Sequence, residues 1–432
     1  MKRRLLQASG IRSGVSTIDG WLLPLIILAF TGLTITLLQG VIAPWARWLG
    51  VLLALGVALV RGNILAFLSH PTGWWIGAFQ IWALLSCLWS EDPRLSFMKA
   101  VAFGLVAFGC GAIGFSWSSG QKLSRIMNCF YPLLALVVIA GVFGIGQEST
   151  TIRVGTTAMY QGLVGHPNMF GSMCALCTPL LAWKLYCKRG QREWSYWLAL
   201  TGIVLTMLYL SSSRAAVLIA LFAMGGFFVV LPGRGKWNMF GVGVVAILVS
   251  TTLFGNLSGN LRGFIYKWEE AEDERLFLTR ENPWRESKEA AIEGGWTGLG
   301  YGVTWGQAGF EGTWHAIGYS REKGSTLYAL REETGYVGMG IYCGLMSSLL
   351  VSLGAGIKRR LNNDIRVFSG IVFGAIIGFF MNNLFEAWWV APGSPESGIF
   401  WIIVGIGMGR SHLKPVPYLS RKRRVIHTYV RE

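Results

Sequence analysis

Charged residues are scarce in this sequence. Asp, Glu, Lys and Arg make up 14% of its 432 residues, whereas about a quarter would be typical of a soluble chain. Hydrophobic residues account for 53%, and the mean hydropathy is +0.47. Several apolar runs approach or exceed the ~18–20 residues that a helix needs to cross a bilayer. The composition therefore excludes an ordinary soluble protein and indicates a membrane protein.

Cysteine is absent from the most polar part of the chain. The seven cysteines all lie in or beside apolar runs. None falls in the polar stretch between about Gly255 and Arg331, so no disulfide framework is expected there. Cys174 and Cys177 form a C-x-x-C, but they lie within a predicted helix and no second pair accompanies them. We therefore predict neither a metal site nor a cofactor.

Apolar periodicity and helix breakers predict about twelve transmembrane helices. The chain is thus expected to be an all-α polytopic membrane protein, with residues 1–432 forming a single integral membrane domain. One large extracytoplasmic loop, residues 256–332, separates spans nine and ten, and a basic tail covers residues 410–432. The predicted spans are 21–39, 44–60, 73–90, 96–115, 127–147, 167–187, 194–211, 215–232, 237–255, 333–354, 366–384 and 397–409.

The distribution of Lys and Arg predicts the orientation. If the N-terminus is cytoplasmic, 24 of the 38 Lys and Arg fall on the cytoplasmic side, and nine of the others lie in the one long loop. Long loops cross a membrane largely regardless of their charge. Both termini are therefore predicted to be cytoplasmic, with the long loop outside. The net charge of +16 then reflects topology and anionic membrane lipids, not binding of nucleic acid.

Arg214 is the first candidate functional residue. It follows Ser211–Ser213 in a short turn between two long apolar runs, at the predicted outer interface. It could anchor the end of a helix by extending its charge toward water. It could also clamp a diphosphate, because its planar and permanently charged fork of donors matches phosphate oxygens. The neighbouring serines, Ser213 among them, favour the clamp.

The long loop contains two further candidate arginines. A helix is predicted from Pro283 to Glu293, and Arg280 and Arg285 lie near its start, five residues apart. Both could reach one diphosphate, or either could pair with a nearby glutamate. The glycines that follow, within Gly298–Gly302, either form turns or let backbone amides approach an anion.

Tryptophans in the same loop are consistent with a carbohydrate ligand. Most of the 20 tryptophans can be ascribed to membrane interfaces. Five lie in the polar loop instead, where an indole ring could stack on the C–H face of a sugar. These five are Trp268, Trp284, Trp296, Trp305 and Trp314. Arg153 and the stretch around His166 are predicted to face the same side of the membrane.

Four stretches of the sequence resemble motifs of one family. Trp89–Ser96 reads W-S-E-D-P-R-L-S, which is similar to a W-S-x-D-P-x-x-S turn between early helices. His166–Gly171 resembles an N-P-N-x-x-G helix start, and Ser213–Ala216 resembles the S-R-G/A-A start of the next helix. Trp284–Gly302 with Glu322–Gly338 resembles a loop followed by a helix that contains E-x-G-x-x-G. In this order, from about residue 80 to 340, the stretches resemble the O-antigen ligase and polymerase superfamily of bacterial envelope proteins.

The resemblance implies an inverting, metal-independent glycosyltransferase in the bacterial inner membrane, with its active site facing the periplasm. It would move a glycan from an undecaprenyl-diphosphate donor to a hydroxyl of a lipid or glycan acceptor, in O-antigen or exopolysaccharide biosynthesis. Such a reaction needs positive charge to stabilise the departing lipid diphosphate. By the resemblance, Arg214 and either Arg285 or Arg280 supply that charge. The expected substrate-binding residues are Arg280, Arg153, Ser213, Trp284 and Trp305.

The general base is the open part of this interpretation. Ligases of the family carry His-Asn near the start of the helix that follows the loop, and this sequence has Gly324-Ser325 there. The base could then be His166, Glu333 or His315, or deprotonation of the acceptor needs little help. This departure favours a polymerase of repeat units, or an exopolysaccharide relative, over a ligase of the lipid A–core. Whether the enzyme ligates or polymerises stays open.

Two other classes of function remain alternatives. A lipid-linked glycan flippase or transporter would share the apolar helices and arginines, but buried charges would be distributed through its spans. The predicted spans contain few such charges. A non-catalytic partner of an envelope polysaccharide assembly complex would keep the fold without needing the arginines.

The topology makes a first testable prediction. Labelling of introduced cysteines should place Arg189, Arg360 and His427 on the cytoplasmic side, and Glu272 and Trp305 on the outside. The physical reason is the excess of Lys and Arg in the segments assigned to the cytoplasm. A tail that is labelled from outside the cell would contradict the twelve-span topology.

Overall fold

A computed structural model describes residues 11–39, 41–120, 123–145, 151–154, 157–232, 278–304, 323–358 and 362–412. These residues form a helical bundle with one small β-hairpin, β1 (Thr151–Val154) and β2 (Thr157–Tyr160). The helices are α1 (Ile11–Gly32), α2 (Thr36–Gln39), α3 (Ala46–Val60), α4 (Asn63–Leu68), α5 (Pro71–Leu85), α6 (Pro93–Gly120), α7 (Leu123–Asn128), α8 (Tyr131–Phe143), α9 (Pro167–Leu176), α10 (Thr178–Cys187), α11 (Glu193–Leu210), α12 (Arg214–Val230), α13 (Leu278–Glu293), α14 (Thr326–Lys358), α15 (Asn363–Asn382) and α16 (Pro395–His412).

Helices occupy every predicted span that falls within the described residues. The predicted span 237–255, parts of the long loop and the tail beyond residue 412 lie outside them. In the described part, four helical segments are long and apolar enough to cross a membrane, namely Pro93–Ser118, Leu123–Phe143, Thr326–Lys358 and Asn363–Asn382. Shorter apolar helices cover Trp21–Gly32, Ala46–Val60 and Arg214–Val230. The chain is thus an all-α polytopic membrane protein, while the count of twelve spans stays a prediction.

Some predicted spans are divided in the structure. The span predicted over 167–187 separates into α9 and α10, and Pro179 lies in the first turn of α10. Proline has no amide hydrogen and its ring clashes with the preceding turn, so a helix does not continue straight through it. The span predicted over 21–39 likewise ends at Gly32 and resumes at Thr36. A continuous apolar run therefore does not ensure a continuous helix.

The β-hairpin is an addition that the sequence did not predict. Its strands pair antiparallel, with Thr151 opposite Tyr160 and Val154 opposite Thr157. The Tyr160 hydroxyl donates a hydrogen bond to the carbonyl of Gly141 in α8, which ties the hairpin to the helix before it. Strands of four residues between two apolar runs give too short a pattern to recognise.

Glycines allow α12 and α15 to pack closely. A Cβ atom on Gly226 would lie 2.2 Å from the carbonyl oxygen of Gly370. Farther along, Gly378 lies against Ile219, so the two helices run antiparallel. Small residues at such contacts are typical of helix packing within membranes, because they let the backbones approach.

Replacement of Gly226 by alanine should destabilise the protein by about 1–3 kcal/mol, the usual cost of overpacking. The added methyl group would meet the Gly370 carbonyl and force the two helices apart. Thermal unfolding of the purified protein in detergent measures the effect. Gly225→Ala is the matched control, since a Cβ there meets nothing within 4 Å. Equal melting temperatures for the two variants would contradict this packing.

Candidate functional site

Helix α14 is interrupted at Gly335. This residue has φ of 67° and ψ of −168°, a conformation that glycine adopts easily and other residues avoid. A Cβ atom here would also lie 2.1 Å from the carbonyl oxygen of Trp296. The interruption separates backbone groups of α14 from their helical partners. Within a membrane protein these groups need other partners, because lipid offers none.

The segment Gly294–Thr304, here called the glycine segment, supplies those partners. The amides of Leu299 and Gly300 donate to the carbonyl oxygens of Glu332 and Glu333, at 2.9 and 3.1 Å. Two amides just after the interruption donate back to carbonyls of the glycine segment, at 3.3 and 3.2 Å. The glycine segment thus replaces the missing helical hydrogen bonds.

Buried charges hold the glycine segment to α14. Lys323 Nζ lies 2.6 Å from Glu333 Oε1 and 3.4 Å from Glu332 Oε2, and all three side chains are fully buried. Glu333 Oε2 accepts a hydrogen bond from the amide of Gly302 at 2.7 Å. From α6, Lys99 Nζ donates to the carbonyl oxygen of Gly302 at 3.3 Å. The two lysines balance the two glutamates, so the buried cluster can be neutral overall, which limits the cost of burying its charges.

Tyr301 extends the glycine segment into the core. Its ring lies edge-on to the rings of Phe79 and Phe103, with 6.0 Å between centroids in each case. Its amide donates to the hydroxyl of Ser86 at 2.9 Å. Burial first, and the nearby Glu333 carboxylate second, raise the pKa of the Tyr301 phenol well above its ordinary value. The phenol is therefore neutral and serves in packing.

The Trp89–Ser96 stretch packs against the glycine segment. The amide of Glu91 donates to the carbonyl of Leu299 at 3.1 Å. Asp92 accepts a hydrogen bond from the amide of Leu95 at 2.9 Å, and so caps the start of α6. Two of the four motif stretches, distant in sequence, are therefore in contact.

The other two motif stretches also contact each other. Gly171 on α9 lies so close to the turn before α12 that a Cβ atom would come within 2.5 Å of Ser211 Oγ and of Ser213 Cβ. Ser212, in this turn, has φ of 53°, a left-handed conformation that is uncommon for a residue with a side chain. Ser213 is the N-cap of α12, and Arg214 is its first residue. The strained turn fixes where Arg214 begins the helix.

The end of α15 connects the two pairs of stretches. The amide and the hydroxyl of Thr326, at the start of α14, donate to Asn383 at 2.9 and 2.8 Å. Trp388 Nε1 donates to Asn382 Oδ1 at 2.7 Å. Because α12 runs antiparallel along α15, Arg214 lies level with Asn382. All four motif stretches therefore lie at one end of the bundle, here called the loop end.

A cleft of about 340 Å³ lies between α13 and α14 at the loop end. Trp284 Nε1 donates to the carbonyl oxygen of Gly324 at 3.0 Å, which fixes the indole at one side of the cleft. The guanidinium carbon of Arg331 lies 4.4 Å from the centre of the Tyr336 ring. Aromatic faces, a guanidinium and hydroxyl groups together suit a sugar phosphate. The cleft is lined by Trp284, Ser325, Leu327, Tyr328, Arg331, Tyr336, Met339 and Leu384.

The predicted arginines are placed at different points of the loop end. Arg285 is exposed on α13, directly after Trp284, and Arg214 is half-buried at the start of α12. The backbone of Arg280 lies in α13 and that of Arg153 lies in β1. The predicted helix 283–293 is present and begins earlier, at residue 278. The roles of these residues in substrate binding and catalysis stay predictions.

The sequence did not predict two residues that line the cleft, and two predicted residues lie outside the described part of the chain. Arg331 and Tyr336 line the cleft but were not predicted, although Arg331 lies two residues before the E-x-G-x-x-G motif and Tyr336 lies within it. His315 and Trp305 lie outside the described residues. Within the described ranges, no group of three or more His, Cys, Asp and Glu side chains is placed to hold a metal ion.

Two of the three candidate bases already have partners. His166 Nδ1 accepts a hydrogen bond from the amide of Asn168 at 3.2 Å and caps α9. In a neutral ring the proton is then on Nε2, which leaves no nitrogen free to take another while the cap holds. Both oxygens of Glu333 are engaged, by Lys323 and by Gly302. The geometry favours structural roles for both residues, and their roles as bases stay predictions.

Solved structures similar to this chain include two proteins. One structure concerns the coordination of polymerization and crosslinking by a peptidoglycan synthase complex. Its sequence is 17% identical to this one, the match covers 78% of this chain and 95% of that chain, and the TM-score is 0.41. The other is a mutant of the rod shape determining protein RodA from Thermus thermophilus, with 18% identity, 79% and 95% covered, and a TM-score of 0.35. No family model and no curated protein matches the sequence. Values of this size establish neither a shared family nor a shared activity.

Glu333→Gln should destabilise the protein by about 3–5 kcal/mol, the usual cost of removing one partner of a buried ion pair. The amide cannot balance the charge of Lys323, which has no access to water. Glu193→Gln is the matched control, since its carboxylate also lies 2.6 Å from a lysine, Lys188, but is 61% exposed. An exposed pair contributes only about 0–1 kcal/mol. Equal losses of melting temperature in the two variants would contradict the larger contribution to stability that is expected of the buried pair.

Proposed function

We propose that this chain is a membrane glycan transferase of the bacterial envelope. It moves an oligosaccharide or polysaccharide from an undecaprenyl-diphosphate carrier to the hydroxyl of a lipid or glycan acceptor, as an inverting, metal-independent glycosyltransferase. The reaction takes place at the loop end, on the outer face of the inner membrane. Because Gly324-Ser325 replaces the His-Asn of ligases, a polymerase of repeat units or an exopolysaccharide enzyme is favoured over a lipid A–core ligase.

The cleft between α13 and α14 is the observation that carries this proposal. Its lining combines two aromatic residues that suit a sugar, Trp284 and Tyr336, with a guanidinium that suits a phosphate, that of Arg331. Arg285 follows Trp284 on the same helix and is exposed. Met339 and Leu384 make its remaining side apolar. A ligand with an apolar tail, a diphosphate and a glycan has a matching surface for each part.

The chemistry of transfer accounts for the need for arginine. When the glycan leaves its carrier, negative charge develops on the diphosphate oxygens. Guanidinium groups held in place before the reaction stabilise that charge without reorganising. Arg214 and Arg285 are the residues to which the motif order assigns this role, and both lie at the loop end. Inversion requires the acceptor oxygen to attack from the face opposite the diphosphate.

The position of the buried charges favours a transferase over a flippase. Of the five charged side chains that are buried among the described residues, four gather in one cluster at the loop end, where Lys323 pairs with the glutamates and Lys99 binds the glycine segment. The fifth, Lys184, lies in the last turn of α10. A transporter would be expected to place charges along a path through its spans. The cluster instead supports the broken helix that forms the cleft.

Deletion of the gene, followed by gel analysis of surface glycans, tests the proposal. A polymerase predicts single repeat units in place of long chains, whereas a ligase predicts free polymer left on its lipid carrier. An unchanged glycan profile in the deletion strain would reject both forms of the proposal.

Arg214→Ala and Arg285→Ala should each lower transfer by two or more orders of magnitude, because a lost transition-state donor costs roughly 3 kcal/mol. Arg214→Lys should recover little, since an ammonium group cannot reproduce the bidentate fork. Transfer is measured with purified protein and a lipid-linked glycan donor. Arg192→Ala, at an exposed position before α11, is the control. Near-normal transfer by Arg214→Lys would show that Arg214 is only a helix anchor.

A further inference from the structure

Glu396 is a carboxylate that neither the motifs nor the cleft explains. It is the second residue of α16, and its carboxylate accepts hydrogen bonds from its own backbone amide and from the hydroxyls of Ser172 and Ser394. Ser394 is itself held by the amide of Ser397, which donates to its hydroxyl oxygen at 3.1 Å. Glu396 is only half-buried. These hydrogen bonds hold the carboxylate in one orientation.

Helix α9 places this carboxylate near the turn that precedes Arg214. Ser172, which binds Glu396, directly follows Gly171. Gly171 in turn packs against Ser213 so closely that it has no room for a Cβ atom. One hydrogen bond and one backbone contact thus connect Glu396 to the residue before Arg214.

Glu396 lies at a recessed level within the bundle. Helix α16 runs parallel to α6, with Gly405 against Gly111 and Gly409 against Phe115. This register puts Glu396 about nine residues past the start of α6, or ~14 Å at 1.5 Å per residue. A carboxylate at this depth is partly shielded from bulk water, as a group that acts on a bound hydroxyl should be.

We infer that Glu396 is the general base that takes the proton of the acceptor hydroxyl, an inference that rests on the proposed function. As the proton passes to the carboxylate, the acceptor oxygen forms a bond to the anomeric carbon of the donor sugar. The bond from that carbon to the diphosphate oxygen breaks, and its electron pair leaves with the lipid diphosphate. Arg214 stabilises the charge on that leaving group. Glu396 then releases its proton to water, which returns the site to its starting state.

Glu396 fits this role better than the bases that the sequence suggested. Glu333 is already paired with Lys323, and His166 uses Nδ1 to cap α9. Among the described residues, no Lys or Arg forms an ion pair with Glu396. Its partners are its own backbone amide and two serine hydroxyls, which orient a carboxylate without cancelling its charge. It therefore keeps the capacity to bind a proton from the acceptor.

Purified full-length protein in lipid nanodiscs provides the test, with an undecaprenyl-diphosphate-linked oligosaccharide as the donor. Glu396→Gln should lower transfer at least ~100-fold, the usual contribution of a general base, while donor binding and melting temperature change little. Glu396→Asp keeps the carboxylate and should recover part of the activity. Glu293→Gln is the matched control, because Glu293 is exposed at the end of α13, and it should transfer at the normal rate.

The outcomes separate this inference from the proposed function. If the unaltered protein transfers normally and Glu396→Gln transfers within a few-fold of that rate, the inference is overturned and the proposed function stands. Loss of donor binding in Glu396→Gln would also overturn it, because the carboxylate would then bind the donor. If Glu396→Gln does not fold, Glu396→Asp provides the test. A carboxylate that acts as the base and is displaced by one methylene group should lower the transfer rate and leave donor binding unchanged. No transfer by the unaltered protein would count against the proposed function itself.

Discussion

The buried ion pair between Lys323 and Glu333 is the interaction on which the loop end depends. Both side chains are fully buried, so each charge would cost several kcal/mol if the other were missing. Lys323 also donates to the carbonyl of Val303 at 2.8 Å, which joins the two sides of the long loop where the glycine segment ends. Glu333 in turn accepts from Gly302, close to the interruption at Gly335. The residues where the long loop returns to the bundle and the glycine segment therefore both contact the Glu333 carboxylate of the interrupted helix α14.

The same contact explains the glycines of the long loop. Their sequence allowed two interpretations, as turns or as amides that approach an anion. The amide of Gly302 does approach an anion, but that anion is the Glu333 carboxylate of the protein itself. Gly298 and Gly335 have φ of 81° and 67°, and a Cβ on either would lie within 2.3 Å of backbone atoms. The glycines thus let the glycine segment approach α14 closely enough to supply the hydrogen bonds that the interrupted helix lacks, and the cleft beside α14 depends on them.

The fold was largely predictable from the sequence because a membrane span needs a long apolar run, and this requirement is local. The interruption of α14 is not local, since Gly335 leaves the helix only where the glycine segment provides partners. The pairing of Glu333 with Lys323, and not with a neighbouring arginine, likewise depends on where the long loop returns to the bundle. Of the residues that line the cleft, Trp284 was predicted as a sugar-binding residue because it is a tryptophan in a polar loop. Tyr336 follows from the packing of α13 on α14, which no sequence pattern shows.

Interrupted and recessed helix ends concentrate polar groups at one end of an otherwise apolar bundle. α14 is broken at Gly335, α12 begins with Arg214 after a strained turn, and α16 begins at a recessed level beside Ser172. Lipid cannot satisfy the polar groups that such ends present, so they face one another, water or a polar ligand. A substrate with an apolar tail and a charged, sugar-bearing head satisfies both environments, because its tail stays among the helices while its head reaches these groups. For this physical reason the loop end is where glycan transfer is proposed.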